Sequence, residues 1–274
     1  LPLKNRGMIK LIVLDIDGTL VNSQKEIPAG FWGLFERLNT KGVQFCIASG
    51  RQVQGLQQLF APIKDQLAFI PDNGASAICR GKELYEDPVD YARFVPIIEV
   101  CEAIEGVSVG LCCKRYTYIK TDSEAIFQEY LKYYPAHKRV DNFEGITDTV
   151  FKLAICTDRD IRTHLYPHLE RFTKDFNVAI SGAVWLDVMK KETNKGEAVA
   201  QLQKALGIGY EETAVFGDQL NDLEMMGVAA YSFAMKNGAV EVKAAAQYTT
   251  EFDNDHEGVV REIERLMREG LFGD

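Results

Sequence analysis

Two kinds of apolar pattern alternate along the chain. Short unbroken runs such as Leu11-Ile12-Val13-Leu14 and Phe45-Cys46-Ile47-Ala48 lack polar alternation, as expected of strands buried on both faces of a parallel sheet. Longer stretches with helical spacing lie between them. In order, the pattern predicts strand 10–15, helix 28–41, strand 43–48, helix 52–60 and strand 67–70, a βαβ succession. Pro28 suits a first helical turn, and Lys41-Gly42 a helix stop. Asn73-Gly74 then opens a hairpin-like segment with strands near 76–79 and 82–85.

After Asp87-Pro88 the pattern changes. It predicts helix 89–105, two strands within 107–120 joined around Lys114-Arg115, helix 122–134, strand 150–156 and helix 159–173. Strands 176–181 and 184–188 come next, around Ser181-Gly182. Strand pairs joined by tight turns mark antiparallel pairing, so this block predicts an α+β unit of its own. Beyond Lys190 the doubly wound pattern resumes with helix 195–206, strand 213–217, helix 220–227, strand 229–233, helix 238–245 and helix 256–269. The expected fold class is α/β: a Rossmann-like, doubly wound parallel sheet built from 1–85 and 190–274, with an inserted α+β domain over 86–189.

Composition narrows the function classes. At 274 residues and 46% hydrophobic content the chain supports a substantial core, and 31 basic against 40 acidic residues give a net charge of -9. That balance argues against general affinity for nucleic acid or for an anionic membrane. No apolar run approaches the roughly 18 residues of a membrane span. Six cysteines, Cys46, Cys79, Cys101, Cys112, Cys113 and Cys156, sit in apolar stretches without CxxC spacing, which predicts reduced, buried thiols in a cytoplasmic protein. Cys112 and Cys113 should point to opposite faces of one strand. Residues 1–7 precede Met8 and read as an expression remnant without functional weight. A small anionic partner stays compatible with this charge if a few cations are placed locally, and a monomer or weak homo-oligomer is expected.

Three core strands end in polar residues. Leu11 to Leu14 delivers Asp15 and Asp17, Val43 to Ala48 delivers Ser49, Gly50 and Arg51, and Thr213 to Phe216 delivers Gly217 and Asp218, with Asn221 and Asp222 close behind. In a parallel sheet these ends share one edge. Asp15 and Asp17 lean to the same side if the strand persists, and like charges so close need a cation or a shared proton. An Asp-Gly turn or a helix cap accounts for the pair nearly as well. Clustered carboxylates are hard oxygen ligands suited to Mg²⁺. Asn194 three residues before Glu197 is a capping-box pattern that sets Lys195 and Gly196 at a helix N-terminus, where anions are attracted. Lys195 alone also reads as a surface lysine, and Ser49 alone as a helix cap.

In order, DIDGTL (15–20), ASGR (48–51), NKG (194–196) and GDQLND (217–222) resemble the four signature motifs of the haloacid dehalogenase superfamily. NGA at 73–75, the large insert and GDQLNDLEMM are similar to its Cof-type phosphatases. The resemblance implies a Mg²⁺-dependent phosphomonoester hydrolase acting on a small phosphorylated metabolite, with Asp15 as nucleophile, forming an aspartyl-phosphate, and Asp17 as general acid and base. It implies Mg²⁺ at the Asp15 carboxylate, the Asp17 carbonyl and Asp218, with Asp222 and Asn221 in or behind that shell. Ser49 and Lys195 would hold phosphoryl oxygens, helped by backbone near Gly18, and Gly50, Arg51, Asn73 and Asn221 join the substrate-binding set. Residues 86–189 would form a cap that selects the substrate. Lys152 and Trp185 are its candidate contacts, although a strand tryptophan more simply fills a packing site. His164 and His168 share a helix face but lack the Glu of HExxH, which favours a packing or solvated pair. A phosphohexomutase sharing the aspartyl-phosphate and a non-catalytic phosphate sensor are the alternatives.

Overall fold

The computed structural model describes residues 7–273, so residues 1–6 of the expected expression remnant lie outside the described residues. The strands are β1 (Leu11–Leu14), β2 (Gln44–Ala48), β3 (Ala68–Ile70), β4 (Ser76–Cys79), β5 (Lys82–Glu86), β6 (Val107–Cys113), β7 (Thr117–Lys120), β8 (His137–Arg139), β9 (Val150–Thr157), β10 (Phe176–Ile180), β11 (Trp185–Lys190), β12 (Thr213–Gly217), β13 (Tyr231–Ala234) and β14 (Tyr248–Thr249). The α-helices are α1 (Ala29–Thr40), α2 (Val53–Leu59), α3 (Tyr91–Glu102), α4 (Glu124–Leu131), α5 (Ile161–His164), α6 (Tyr166–Leu169), α7 (Lys195–Leu206), α8 (Leu223–Met226), α9 (Val240–Ala245) and α10 (Gly258–Arg268). They divide into two compact units, one running to Glu86 and resuming at Asn194, the other Asp87–Thr193.

The first unit holds an eight-stranded sheet in the order β14-β13-β12-β1-β2-β3-β4-β5. Pairing is parallel from β14 to β3 and antiparallel through β4 and β5. The unbroken apolar runs result from this placement. Ile12, Leu14, Phe45, Ile47 and Phe216 face α1, α2 and α10, while Leu11, Val13, Cys46, Ala48 and Val215 face α7, α8 and α9. Both faces of β1, β2 and β12 are therefore dry. Strand order reverses at β1, between β12 on one side and β2 on the other, and that switch point is where open α/β sheets bind ligands.

The second unit is α+β, with a sheet in the order β10-β11-β9-β6-β7-β8 that is antiparallel except for the β7–β8 pair. The turns at Lys114-Arg115 and Ser181-Gly182 join β6 to β7 and β10 to β11. Cys112 and Cys113 fall into different hydrophobic clusters, on opposite faces of the sheet. All six cysteines are buried. Among the described residues no helix is long and apolar enough to cross a membrane.

Two expected helices are broken. Residues 159–173 form α5, α6 and a 3₁₀ stretch, Glu170–Lys174, because Pro167 stands in the first turn of α6 and cannot continue the helix before it. Residues 220–227 begin as the 3₁₀ turn Leu220–Asp222 before α8, since the Asp222 carboxylate folds back onto the amides of Asp218 and Gln219. Strands β8 and β14 fall outside the expected set, being three and two residues long and without alternation.

Two residues set the position of helix α7. Asn194 caps it by accepting the Glu197 amide at 2.8 Å, and Gly196 lets its first turn meet α8 directly. A Cβ at Gly196 would lie 2.6 Å from the Glu224 carbonyl group, which is backbone and cannot swing away. Gly196→Ala should therefore destabilise the protein by about 1–3 kcal/mol through overpacking. Urea unfolding measures this, and an unchanged midpoint would mean that the α7–α8 contact has slack.

Candidate active site

The β1 run ends at Leu14, and the next residue, Asp15, continues the α7-facing side set by Leu11 and Val13. There it meets Lys195 at the first position of α7. The Lys195 ammonium is fully buried and donates to Asp15 Oδ1 and Asp222 Oδ1, each at 2.6 Å. Burial disfavours its charge, but the two carboxylates outweigh that cost and raise its pKa. Asp222 spends its other oxygen on the amides of Asp218 and Gln219, at 2.9 and 3.1 Å. It thus shapes the turn that presents Asp218.

Asp218 sits across from β1. Its carboxylate accepts from Thr19 Oγ1 and Gln219 Nε2, both at 3.1 Å. Gly18 makes this approach possible: its φ is +83°, and a Cβ there would lie 2.3 Å from Asp218 Oδ2. Oxygens of Asp15, Asp218 and Asp222 lie within 4.8 Å of one another. Three carboxylates against one ammonium leave an excess of negative charge. Burial and the Asp222 charge push the Asp15 carboxyl up to about 8, and the same two causes push Asp218 up to about 6. Crowded, desolvated carboxylates of this kind fit a hard divalent cation, which would relieve the repulsion that raises both values.

Asp17 does not share the cluster. The strand alternation stops at Leu14, and the chain turns at Gly18, so the two carboxylates have different partners. Arg51 forks onto Asp17, Nε to Oδ2 at 2.9 Å and Nη2 to Oδ1 at 2.7 Å, and Lys25 Nζ reaches Oδ1 at 2.8 Å. Burial works against the Asp17 charge, yet these cations hold its pKa below the ordinary carboxylate value.

The other expected residues line the neighbouring loops. Ser49 is buried after β2, donates its amide to Ile70 O at 2.9 Å, and accepts the Arg51 amide on Oγ at 3.2 Å. A Cβ on Gly50 would lie 3.1 Å from Asn73 Oδ1, so this glycine brings the two loops together. Asn73, left-handed at φ 56°, accepts Asn221 Nδ2 at 3.0 Å and links the loop after β3 to the one after β12. Sequence reasoning missed Thr19, Lys25 and Asn237, whose Nδ2 donates to Gly18 O at 2.8 Å. Thr19 stood inside the first motif, but Lys25 and Asn237 carried no spacing signal.

In the second unit Lys152 is 1% exposed, with Nζ 3.6 Å from Asp187 Oδ2. Trp185 packs edge-on against Tyr130 at 4.8 Å and belongs to a hydrophobic cluster with it, the packing role expected of a strand tryptophan. His164 bonds the Glu105 carbonyl oxygen, and His168 is exposed.

Residues 12–263 match a family model described as haloacid dehalogenase-like hydrolase. The chain is 30% identical over 263 residues, 95% of its length and 97% of the relative's, to the 5-amino-6-(5-phospho-D-ribitylamino)uracil phosphatase YbjI of Escherichia coli (strain K12). A solved structure of a haloacid dehalogenase-like hydrolase from Bacteroides thetaiotaomicron is 28% identical with a TM-score of 0.81, covering 94% of this chain and 99% of that one. A second solved structure, from Streptococcus mutans UA159, has a TM-score of 0.83 at 28% identity and covers 95% and 99% of the two chains.

The charge excess in the cluster has a measurable signature. The Asp218 carboxyl stands at about 6 in the folded protein against 3.8 as its ordinary value. A raised carboxylate pKa means that ionisation weakens the fold, with full effect above about pH 6 and none below about pH 3.8. In EDTA, Asp218→Asn should raise the thermal midpoint at about pH 7.5 by about 2–4 °C, a gain that vanishes near pH 4. Thermal unfolding at the two pH values measures it; a gain equally present at both would sink the account.

Proposed function

Because the chain belongs to the haloacid dehalogenase-like hydrolases and is a phosphatase, we propose that it hydrolyses small phosphorylated metabolites through an aspartyl-phosphate on Asp15, with Mg²⁺ as cofactor. The observation that carries this reading is the pairing of a buried carboxylate, Asp15, with a buried ammonium, Lys195, at the switch point of the sheet. The relative named for a phosphorylated ribitylaminouracil supports the substrate class, a phosphomonoester of a small polar alcohol.

The chain's own groups divide the work. Lys195 keeps Asp15 oriented and supplies positive charge where phosphoryl oxygens gather, at the N-terminus of α7. A carboxylate oxygen of Asp15 attacks phosphorus, the bond from phosphorus to the alcohol oxygen breaks, and the protonated Asp17 gives its proton to that oxygen. Water then attacks the phosphorus of the aspartyl-phosphate, its proton passes to Asp17, and orthophosphate leaves with Asp15 restored. In the free protein Arg51 and Lys25 hold Asp17 ionised, the form needed for the second half. Arriving phosphoryl oxygens compete with Asp17 for Arg51, which favours the protonated form that the first half requires.

Ser49, the Gly18 turn and Arg51 are assigned to the phosphoryl oxygens. Asp15 and Asp218 are assigned to Mg²⁺ together with the Asp17 carbonyl. Asp222, its oxygens taken by Lys195 and two amides, is assigned the part of holding Asp218 in place. When bound, Mg²⁺ supplies charge neutralisation between nucleophile and phosphate. Choice of the alcohol is assigned to the unit Asp87–Thr193, with Lys152 as its buried cation.

Asp15→Asn should lower phosphate release by at least about 10³-fold while leaving the circular dichroism spectrum near that of wild type. Turnover within a few-fold of wild type would remove Asp15 from the nucleophile's place. Excess EDTA should abolish phosphate release and added Mg²⁺ restore it, so undiminished release in EDTA would end the metal assignment. Both assays use a sugar phosphate without any bisphosphate activator, a condition under which a mutase releases no phosphate.

A further inference from the structure

The phosphatase reaction gives Lys25 no part beyond keeping Asp17 ionised in the free protein. Lys25 belongs to the loop between β1 and α1, lies just past the first motif but outside it, and places its ammonium 2.8 Å from Asp17 Oδ1. Arg51 comes from the loop after β2 and grips both oxygens of the same carboxylate. Donors from two separate loops thus fix the plane and the direction of one side chain. An ion pair this exposed, 62% for the Lys25 side chain and 39% for that of Asp17, adds little to fold stability. Its value must lie elsewhere.

The loop is built to deliver that lysine. Lys25 has φ 66°, a left-handed conformation that a residue with a Cβ adopts at a cost. Asn22 sustains it: its Oδ1 accepts the amides of Gln24 and Glu26 at 3.0 and 2.9 Å, and its carbonyl accepts the Lys25 amide at 2.9 Å. The loop is then tied down from outside. Ser23 gives both its amide and its hydroxyl to the Asp255 carboxylate, each at 2.7 Å, and Asn254 Nδ2 donates to Val21 O at 3.0 Å. A strained residue persists where its surroundings over-determine it, and here five hydrogen bonds around residues 22–26 and a sixth at Val21 do so.

We propose that Lys25 is a positioning residue for the phosphatase reaction: when Arg51 is drawn to the phosphoryl oxygens, Lys25 keeps the Asp17 carboxyl in the direction from which the proton is exchanged, and Asp255 anchors the loop that carries it. The proposal rests on the reading of Asp17 as the proton donor. Losing Lys25 leaves Arg51 to the phosphoryl oxygens but frees the carboxyl at that moment, so only steps that need a well-aimed proton should suffer. A phenolate leaving group departs without protonation, whereas an alkoxide does not.

The test compares p-nitrophenyl phosphate with the best-turned-over member of a sugar-phosphate panel, and reads alcohol release in a single turnover, because the second half needs Asp17 whichever alcohol has left. Lys25→Met should lower the single-turnover rate of sugar release about fivefold, the upper range for one exposed ion pair, with the single-turnover release of p-nitrophenolate within about twofold of wild type. Lys25→Arg should restore the sugar-phosphate rate. Asp255→Ala, which keeps Lys25 and unties the loop, should show the same selective loss. Equal losses on both substrates, or no loss on either, overturn the proposal if Asp17→Asn does show the selective loss. If Asp17→Asn itself slows both substrates alike, the proton-donor reading fails, and the role of Lys25 with it.

Discussion

A fully buried ammonium between two buried carboxylates governs the arrangement of the site. Taking Lys195 out of water costs several kcal/mol before any partner is counted, so it is tolerated only because Asp15 and Asp222 receive it at 2.6 Å each. That demand fixes three pieces of chain at once: the end of β1, the first turn of α7 and the turn after β12. Gly196 is a consequence, since α7 must approach α8 closely enough for Lys195 to reach Asp222. The Asn194 cap is another, because it starts α7 at the lysine itself.

The same trio explains why the cluster behaves as a binding site rather than as a structural ion-pair network. Elsewhere the charges pair off: Arg139 meets Glu124, Lys190 meets Asp87, and Arg265 lies between Glu262 and Glu269. Around Lys195 the count does not balance. Asp218 brings a third carboxylate without a cation of its own, and it accepts from the hydroxyl of Thr19 and the side-chain amide of Gln219. Its raised pKa and that of Asp15 express this shortfall. A structure selected for stability alone would neutralise such a group, and its retention at the shared edge of β1, β2 and β12 is a mark of function.

What the sequence made legible is what local rules control. Leu11 to Leu14 announced a strand buried on both faces because both faces of β1 do pack against helices, and Asn194 announced α7 because capping is a contact within one turn. The meeting of β1, β2 and β12 was legible because parallel strands share an edge. Direction past a strand end was not. Asp15 and Asp17 were expected to lean together, but the alternation ends at Leu14 and the Gly18 turn sends Asp17 towards Arg51 and Lys25. Lys25 was invisible for a related reason: its reach depends on Asp255, some 230 residues away, and no spacing rule spans that distance. Helix 159–173 breaks for a simpler reason: Pro167 halts it although the apolar spacing runs on across it.

Two carboxylates two residues apart have come to lie in opposite electrostatic settings, and that separation is itself an argument about mechanism. Burial and a neighbouring negative charge raise Asp15, whereas a guanidinium and an ammonium lower Asp17. Groups of one chemical kind whose environments push them apart serve different steps. Asp15 has its ammonium partner on one oxygen, at 2.6 Å on Oδ1, which suits an atom that must bond to phosphorus and be released again. Asp17 has cations on both oxygens and greater exposure, which suits a group that exchanges a proton with an alcohol and then with water. The turn at Gly18 makes the difference. Had the strand run on straight, both acids would face Lys195, one ammonium would serve two like groups, and nothing in the geometry would distinguish nucleophile from proton carrier.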